Sequence, residues 1–168
     1  MNAPRKPLMP LDDALQQLLV HVQPLLEVES LATLEADGRV LAQDLVSALQ
    51  VPAFDNSSMD GYAVRWADVQ QAPVVLKVTQ RIAAGQSGTT LGVGQAARIF
   101  TGAPLPPGAD TVVMQEDTQP TELAQDQVHI MRAPSQGEWV RLSGEDVRKG
   151  TVALAAGTRL TPAELGLA

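Results

Sequence analysis

The stretch Ala97-Arg98-Ile99-Phe100-Thr101-Gly102-Ala103-Pro104-Leu105-Pro106-Pro107-Gly108-Ala109-Asp110-Thr111-Val112-Val113-Met114-Gln115 sets two short apolar runs, Ala97 to Phe100 and Thr111 to Gln115, around a Thr-Gly pair and a proline-rich loop. Proline cannot continue a helix and the runs are rich in β-formers, so the pattern is strand, loop, strand. The same pattern recurs at Val74 to Val78, Gln127 to Met131, Glu138 to Leu142 and Thr151 to Ala155, each a brief β-type run bounded by Gly or Pro. Several short strands at such intervals predict a small barrel or sandwich rather than an α/β sheet.

Upstream the grammar differs. Leu11, Ala14, Leu15, Leu18, Leu19 and Val22 repeat with helical spacing, Asp12 and Asp13 sit at the positive end of the dipole, and Pro24 stops the pattern. This predicts an amphipathic helix over 11–23 packed against the rest of the fold, since apolar helical stripes are mostly core. Residues 25–35 suit an extended segment, Asp37-Gly38 a turn, Val40-Leu41-Ala42 a short helical turn, and Asp44-Leu45-Val46 the start of a strand. Residues 1–9 read as a mobile tail. At the other end, Thr161 is an N-cap candidate, Pro162 takes the first helical position and Glu164 completes a capping box. Few residues follow it, and isolated helices below about 12 residues are marginal in water. The expectation is a chain cut before a further domain, with a one-turn helix docked on the core as the rival.

The 168 residues, 45 % of them hydrophobic, suffice for one domain or two small ones without staples. Aromatics are 3 % of residues and the net charge is −7 with scattered cations, which disfavours stacking on single strands and neutralising a duplex backbone. There is no cysteine, and His21 and His129 lie far apart, so no metal site is expected from soft ligands. The N-terminus lacks a signal-peptide pattern and no apolar run nears the roughly 20 residues that cross a bilayer. A cytoplasmic protein without membrane or nucleic-acid partners is expected.

Three groups of residues can carry chemistry. Between Phe54 and Val64 lie Asp55, Asn56, Ser57, Ser58, Asp60 and Gly61, a density of turn-formers that reads either as a solvated Asp-Gly turn or, given the flanking Met59, Tyr62, Ala63 and Val64, as Asp60 at the rim of a cleft. Thr101-Gly102 leaves a hydroxyl and an approachable backbone at a strand end. Glu116 with Asp117, and Glu145 with Asp146, are carboxylate pairs that can bind a hard cation or stand as ordinary solvated loop residues, and Arg141 and Arg148 can pair with them or face a phosphate. No Walker loop, dinucleotide fingerprint or Ser-His-Asp arrangement is present.

The runs Val51 to Arg65, with Asn56-Ser57-Ser58-Met59-Asp60-Gly61-Tyr62-Ala63-Val64 at their centre, Arg98 to Pro106, Ala109 to Asp117, Arg141 to Asp146 and Gly157 to Leu160 resemble, in order and spacing, the molybdopterin molybdenumtransferase family. The resemblance spans the chain from about residue 8. It departs mildly at Ser58, where relatives often carry alanine, and at Pro120 to Asp126, which looks like a variable hairpin tip. It implies a mainly β protein with an N-terminal helix (α+β): an elongated, dimer-forming subdomain of bifurcated, coiled sheet over 1–48 and 140–168, and an inserted β-barrel-like subdomain over 49–139. A following α/β molybdopterin-binding domain and a C-terminal β-domain would be absent from this chain. The implied activity of the parent protein is transfer of molybdenum from molybdate into adenylylated molybdopterin, with release of AMP, in molybdenum cofactor biosynthesis. It implies Mg2+ as cofactor, held mainly by the missing domain, and a homodimer in which the inserted subdomain closes over the partner's α/β domain. The molybdopterin adenylyltransferase and apo-molybdoenzymes are implied protein partners. By motif match Asp60 and Thr101 are the catalytic candidates, Asp60 orienting a metal-bound water or polar group and the Thr101 hydroxyl donating to substrate. Ser57, Ser58, Met59, Gly61, Tyr62, Gly102, Glu116, Arg141 and Asp146 are the substrate-binding candidates. The isolated chain is expected to be inactive. The rival from another class is a protein-interaction or scaffolding module, for which only Phe54, Tyr62, Trp66, Phe100 and Trp139 offer aromatic surface.

Overall fold

A computed structural model describes residues 9–23, 25–120 and 126–168. The tail before residue 9, the helix stop at Pro24 and most of the tip between Pro120 and Asp126 lie outside the described residues. In chain order the elements are α1 (Leu11–Val20), β1 (Leu45–Val46), β2 (Asn56–Ser57), β3 (Gly61–Val64), β4 (Val74–Ile82), β5 (Gln95–Ile99), β6 (Thr111–Met114), β7 (Thr118–Pro120), β8 (Gln127–Ile130), β9 (Val140–Arg141), β10 (Val152–Leu154) and α2 (Pro162–Leu167). The protein is mainly β with an N-terminal helix, as the strand-and-turn pattern predicts.

Six strands form one sheet in the order β6-β3-β5-β4-β8-β7. Its two outer strands, β6 and β7, are consecutive in the chain and joined by a single 3₁₀ turn, Gln115–Asp117. That short covalent link brings one end of each edge strand together, and the sheet curls into a nearly closed, barrel-like form. In β3, β5 and β6, Ala63 lies opposite Ala97 on one side and Val112 on the other. These three, with Ile99, Ile82, Leu91 and Ala103, form one buried cluster, while Val64, Ala96 and Val113 join Leu76, Val128, Ile130 and Val69 in a second. Successive strand residues face opposite ways, so these strands are covered on both faces and read as unbroken apolar runs. Each fully buried Ile or Leu contributes about 1.5–3 kcal/mol.

Strand β4 runs well past the predicted Val74 to Val78. Its first half pairs antiparallel with β8 and its second half parallel with β5, with a register shift between Val78 and Gln80. An extra residue in one strand reverses the facing of everything after it. Leu76 and Ile82, six positions apart, accordingly fall in different clusters.

Below the barrel the chain runs out and back as a ribbon: Val40 bridges Arg159, Leu45 and Val46 pair with Leu154 and Val152, and Val51 bridges Val147. The Asp44 carboxylate accepts the Ala156 N–H at 2.7 Å. Beyond the ribbon, Thr161 and Glu164 form the predicted capping box at the start of α2.

Several expectations are corrected. Helix α1 ends at Val20 and buries no residue; Leu11 is 82 % and Leu18 69 % exposed. Its apolar stripe has no cover among the described residues, because the barrel core is closed by its own strands. Thr33–Glu35 is a 3₁₀ turn rather than extended chain, and Val40 is a bridge residue rather than part of a helical turn. Glu138 to Leu142 contracts to the two residues of β9.

Candidate functional site

The hydroxyls and glycine around Asp60 first build a frame. Ser57 is 1 % exposed; its N–H donates to the Ala103 carbonyl at 3.0 Å and its carbonyl accepts from Gly102 N–H at 2.8 Å, which ties the turn after β5 to β2. Its hydroxyl donates to the Met59 carbonyl at 2.6 Å and accepts the Met59 N–H at 3.3 Å, a local hydroxyl turn that presents the next residue. Ser58 donates its hydroxyl and its N–H to the Trp139 carbonyl at 2.9 and 3.0 Å. Trp139 is held at φ 60°, the left-handed region, where a bulky residue is strained. Gly61 lets β3 approach β6: a Cβ there would sit 2.0 Å from the Val113 carbonyl oxygen. Tyr62 packs half-buried on the second cluster. Ser57, Ser58 and Gly61 thus spend their polar and steric character on the frame, and Tyr62 contributes its ring to the packing.

Asp60 and Thr101, the two candidates placed first, are brought into direct contact. Asp60 Oδ1 accepts the Thr101 N–H at 2.9 Å and the Thr101 hydroxyl at 2.8 Å, and the Asp60 carbonyl accepts the Gln115 N–H at 3.0 Å. Gly102 follows at φ 79° with nothing within 4 Å of where a Cβ would stand. It makes the turn, with open space on the side where its Cβ would stand. The Thr101 backbone N–H, then its hydroxyl, then the charge of Arg98 hold the Asp60 carboxyl below the ordinary carboxylate range. Asp60 is therefore an anion at neutral pH, an acceptor and not a general acid. With both Thr101 donors on Oδ1, Oδ2 has no protein donor among the described residues. The Thr101 hydroxyl has its proton committed to Asp60, so in this arrangement it offers lone pairs and not the donor expected from the sequence.

Residues on either side complete the setting. Arg98, on β5, donates to the Gly61 carbonyl at 2.7 Å, to the Ile99 carbonyl at 3.1 Å and to Gln115 Oε1 at 2.8 Å, and its guanidinium lies 4.5 Å from the Phe100 ring centroid. Sequence reading left Arg98 out of the site; the available signal was a cation inside the apolar run Ala97 to Phe100. Glu116 is exposed and accepts from Gln115 Nε2 at 3.3 Å. Arg141 and Asp146 are bonded to each other, with Glu145 4.0 Å from the same guanidinium. The Asp146 bond and charge hold the Arg141 pKa above its ordinary value. This second group is anchored on β9 opposite β2 and makes no hydrogen bond or ion pair to Asp60 or Thr101. Among the described residues no three His, Cys, Asp or Glu side chains converge as a metal site. No helix among them is long and apolar enough to cross a membrane.

Residues 9–168 match the family described as MoeA N-terminal region (domain I and II). The chain is similar to the molybdopterin molybdenumtransferase of a Nostoc species, 48 % identical over 137 residues that cover 79 % of this chain and 31 % of that protein. It is also similar to that of Haemophilus influenzae, 37 % identical over 160 residues, covering 95 % and 39 %. A crystal structure of the molybdopterin biosynthesis moeA protein from Pyrococcus horikoshii superposes with a TM-score of 0.83 at 35 % identity, covering 96 % of this chain and 43 % of that one. The chain thus spans well under half the length of these relatives.

Proposed function

We propose, because this chain belongs to the family of MoeA N-terminal regions, that it supplies one wall of the active-site cleft of a molybdopterin molybdenumtransferase. The whole protein would take molybdenum from molybdate into adenylylated molybdopterin and release AMP. The observation that carries the reading is the Asp60–Thr101 pair, fixed by two bonds to one carboxylate oxygen and open at the other. An ionised carboxylate beside an acceptor hydroxyl suits a ligand that brings donors: an amino or ring N–H of the pterin, or a water held on the metal being transferred. A bare oxyanion would be repelled by it. Asp60 would orient such a group and Thr101 would keep the carboxylate ionised and aimed.

The ribbon of residues 39–51 against 147–160 supports an elongated subdomain over 1–48 and 140–168 with the barrel of 49–139 inserted into it, although the pairing of β9 with β2 carries the joint slightly past residue 140. Aliphatic exposure on the N-terminal segment, including Leu25 at 95 %, Leu26 at 88 % and Leu34 at 88 %, supports a homodimer surface, since patches of this kind are seldom left bare. The same exposure is what an interaction module would need, and it is aliphatic rather than the aromatic surface counted from the sequence. Because the chain spans only 31–43 % of the relatives' lengths, these 168 residues alone would give no turnover, and AMP release by them would overturn the reading. In the whole protein, Asp60→Ala is expected to abolish cofactor formation from adenylylated molybdopterin and molybdate; undiminished turnover would remove Asp60 from the site.

A further inference from the structure

We infer that Arg98 is the positioning residue of the Asp60–Thr101 pair, clamping the chain just after Asp60 directly at the Gly61 carbonyl and, through Gln115, at the carbonyl of Asp60 itself. One guanidinium nitrogen donates to the carbonyl of Gly61, the residue after Asp60 (2.7 Å), and to Ile99 (3.1 Å); the other donates to the side chain of Gln115 (2.8 Å). Gln115 in turn donates its backbone N–H to the Asp60 carbonyl at 3.0 Å. A single rigid fork thus joins β3, β5 and the turn after β6 at the point where Asp60 leaves the sheet.

The direction of the fork is set by stacking. The Arg98 guanidinium sits 4.5 Å from the Phe100 centroid and 5.3 Å from that of Tyr62, contacts of the cation–π kind. Phe100 directly precedes Thr101, so the ring that seats the cation also sets the start of the turn bearing the second member of the pair. Arg81, paired in register with Arg98 on β4, stacks on the same ring at 4.5 Å. Two like charges side by side repel, and the carbonyls around Arg98 offset that cost. Of these charges it is Arg98, from β5, that acts on the Asp60 carboxylate; Arg81 from β4 reaches it only through the shared Phe100 ring, and Glu116 is bonded to the Gln115 side chain. Lysine cannot reproduce this arrangement, because an ammonium lacks the planar fork that reaches two directions at fixed angle.

The test separates this clamp from the functional reading on which its catalytic consequence rests. In the 168-residue chain, the Asp60 carboxyl is titrated by carbon-13 NMR and the Thr101 amide followed by hydrogen exchange. Arg98→Lys keeps the charge and removes the fork. It is expected to raise the Asp60 pKa toward the ordinary range and to lower Thr101 amide protection. Unchanged values of both would overturn the clamp. Should the lysine variant not fold, Gln115→Leu removes one arm alone and is expected to move both readouts in the same direction by less; no movement there would also overturn it. A purely structural arginine would lower the melting temperature and leave the Asp60 titration where it is. In the whole protein, Arg98→Lys is expected to lower kcat/KM by on the order of tenfold or more, since a 1 Å misplacement can cost about a hundredfold. If Asp60→Asn retains full turnover while the NMR shifts occur, the function fails and the clamp stands.

Discussion

Replacing Gly61 by alanine tests whether the site is built into the barrel or merely lies on it. The added Cβ would meet the Val113 carbonyl oxygen at 2.0 Å, its carbon at 2.9 Å and the Met114 Cα at 3.0 Å. Ordinary contact between such atoms is roughly 3.5 Å, so about 1.5 Å must be recovered, and every atom in the way is backbone. Strand β3 is paired with β6 on one side and β5 on the other, so it cannot withdraw from one without pressing on the other. Overpacking costs about 1–3 kcal/mol, and loss of one or two ladder bonds adds about 1 kcal/mol each. The sum, about 2–5 kcal/mol, is a large share of the roughly 5–15 kcal/mol that holds a typical domain. Urea unfolding followed by fluorescence of Trp66 and Trp139 reads it as a midpoint lowered by about 2 M for a typical slope. Gly102→Ala is the internal control: its φ of 79° is unfavourable but nothing lies within 4 Å, so about 1–2 kcal/mol is expected. Equal losses for the two variants, or less than about 1 kcal/mol for Gly61→Ala, would refute the close approach of β3 and β6.

Two other outcomes follow from the same geometry. Ser57→Ala is expected to cost about 1 kcal/mol of stability, the worth of a hydrogen-bonded hydroxyl, while leaving ligand affinity of the whole protein unchanged, because the Ser57 hydroxyl is spent on Met59; a loss of affinity at unchanged stability would contradict this. Asp60 has a depressed pKa in the folded state, so its contribution is present above the unfolded value of about 3.9 and is lost as pH falls through the lower folded value. Asp60→Asn should therefore lose less stability than the parent chain as the pH falls below about 4, and parallel acid profiles would contradict the Thr101 bonds.

The barrel was legible where strands are rich in β-branched residues and punctuated by Gly or Pro, as at Thr111 to Gln115, and so was the α2 cap, whose signals are local. Strand β3 was hidden because it opens on a glycine directly after Asp60, a pair that reads as a turn until the Val113 carbonyl opposite Gly61 is known. The bulge in β4 has no local mark, since it is imposed by two partners of opposite direction. Asp60 and Thr101 came from recognised motifs, and their contact across 41 positions is a product of β5 lying beside β3. Arg98 escaped notice because its acceptors lie 37 and 17 positions away. The apolar stripe of α1 was read correctly as a stripe but wrongly as covered, because periodicity reports which face is apolar and not what meets it.

The most direct measurement is a crystal structure of the whole protein with adenylylated molybdopterin bound. The account predicts Asp60 Oδ2 at hydrogen-bonding distance, about 2.6–3.2 Å, from a donor on the pterin or from a water attached to it, with Thr101 still bonded to Oδ1. Asp60 directed away from the ligand, with the pterin enclosed by other residues, would contradict it.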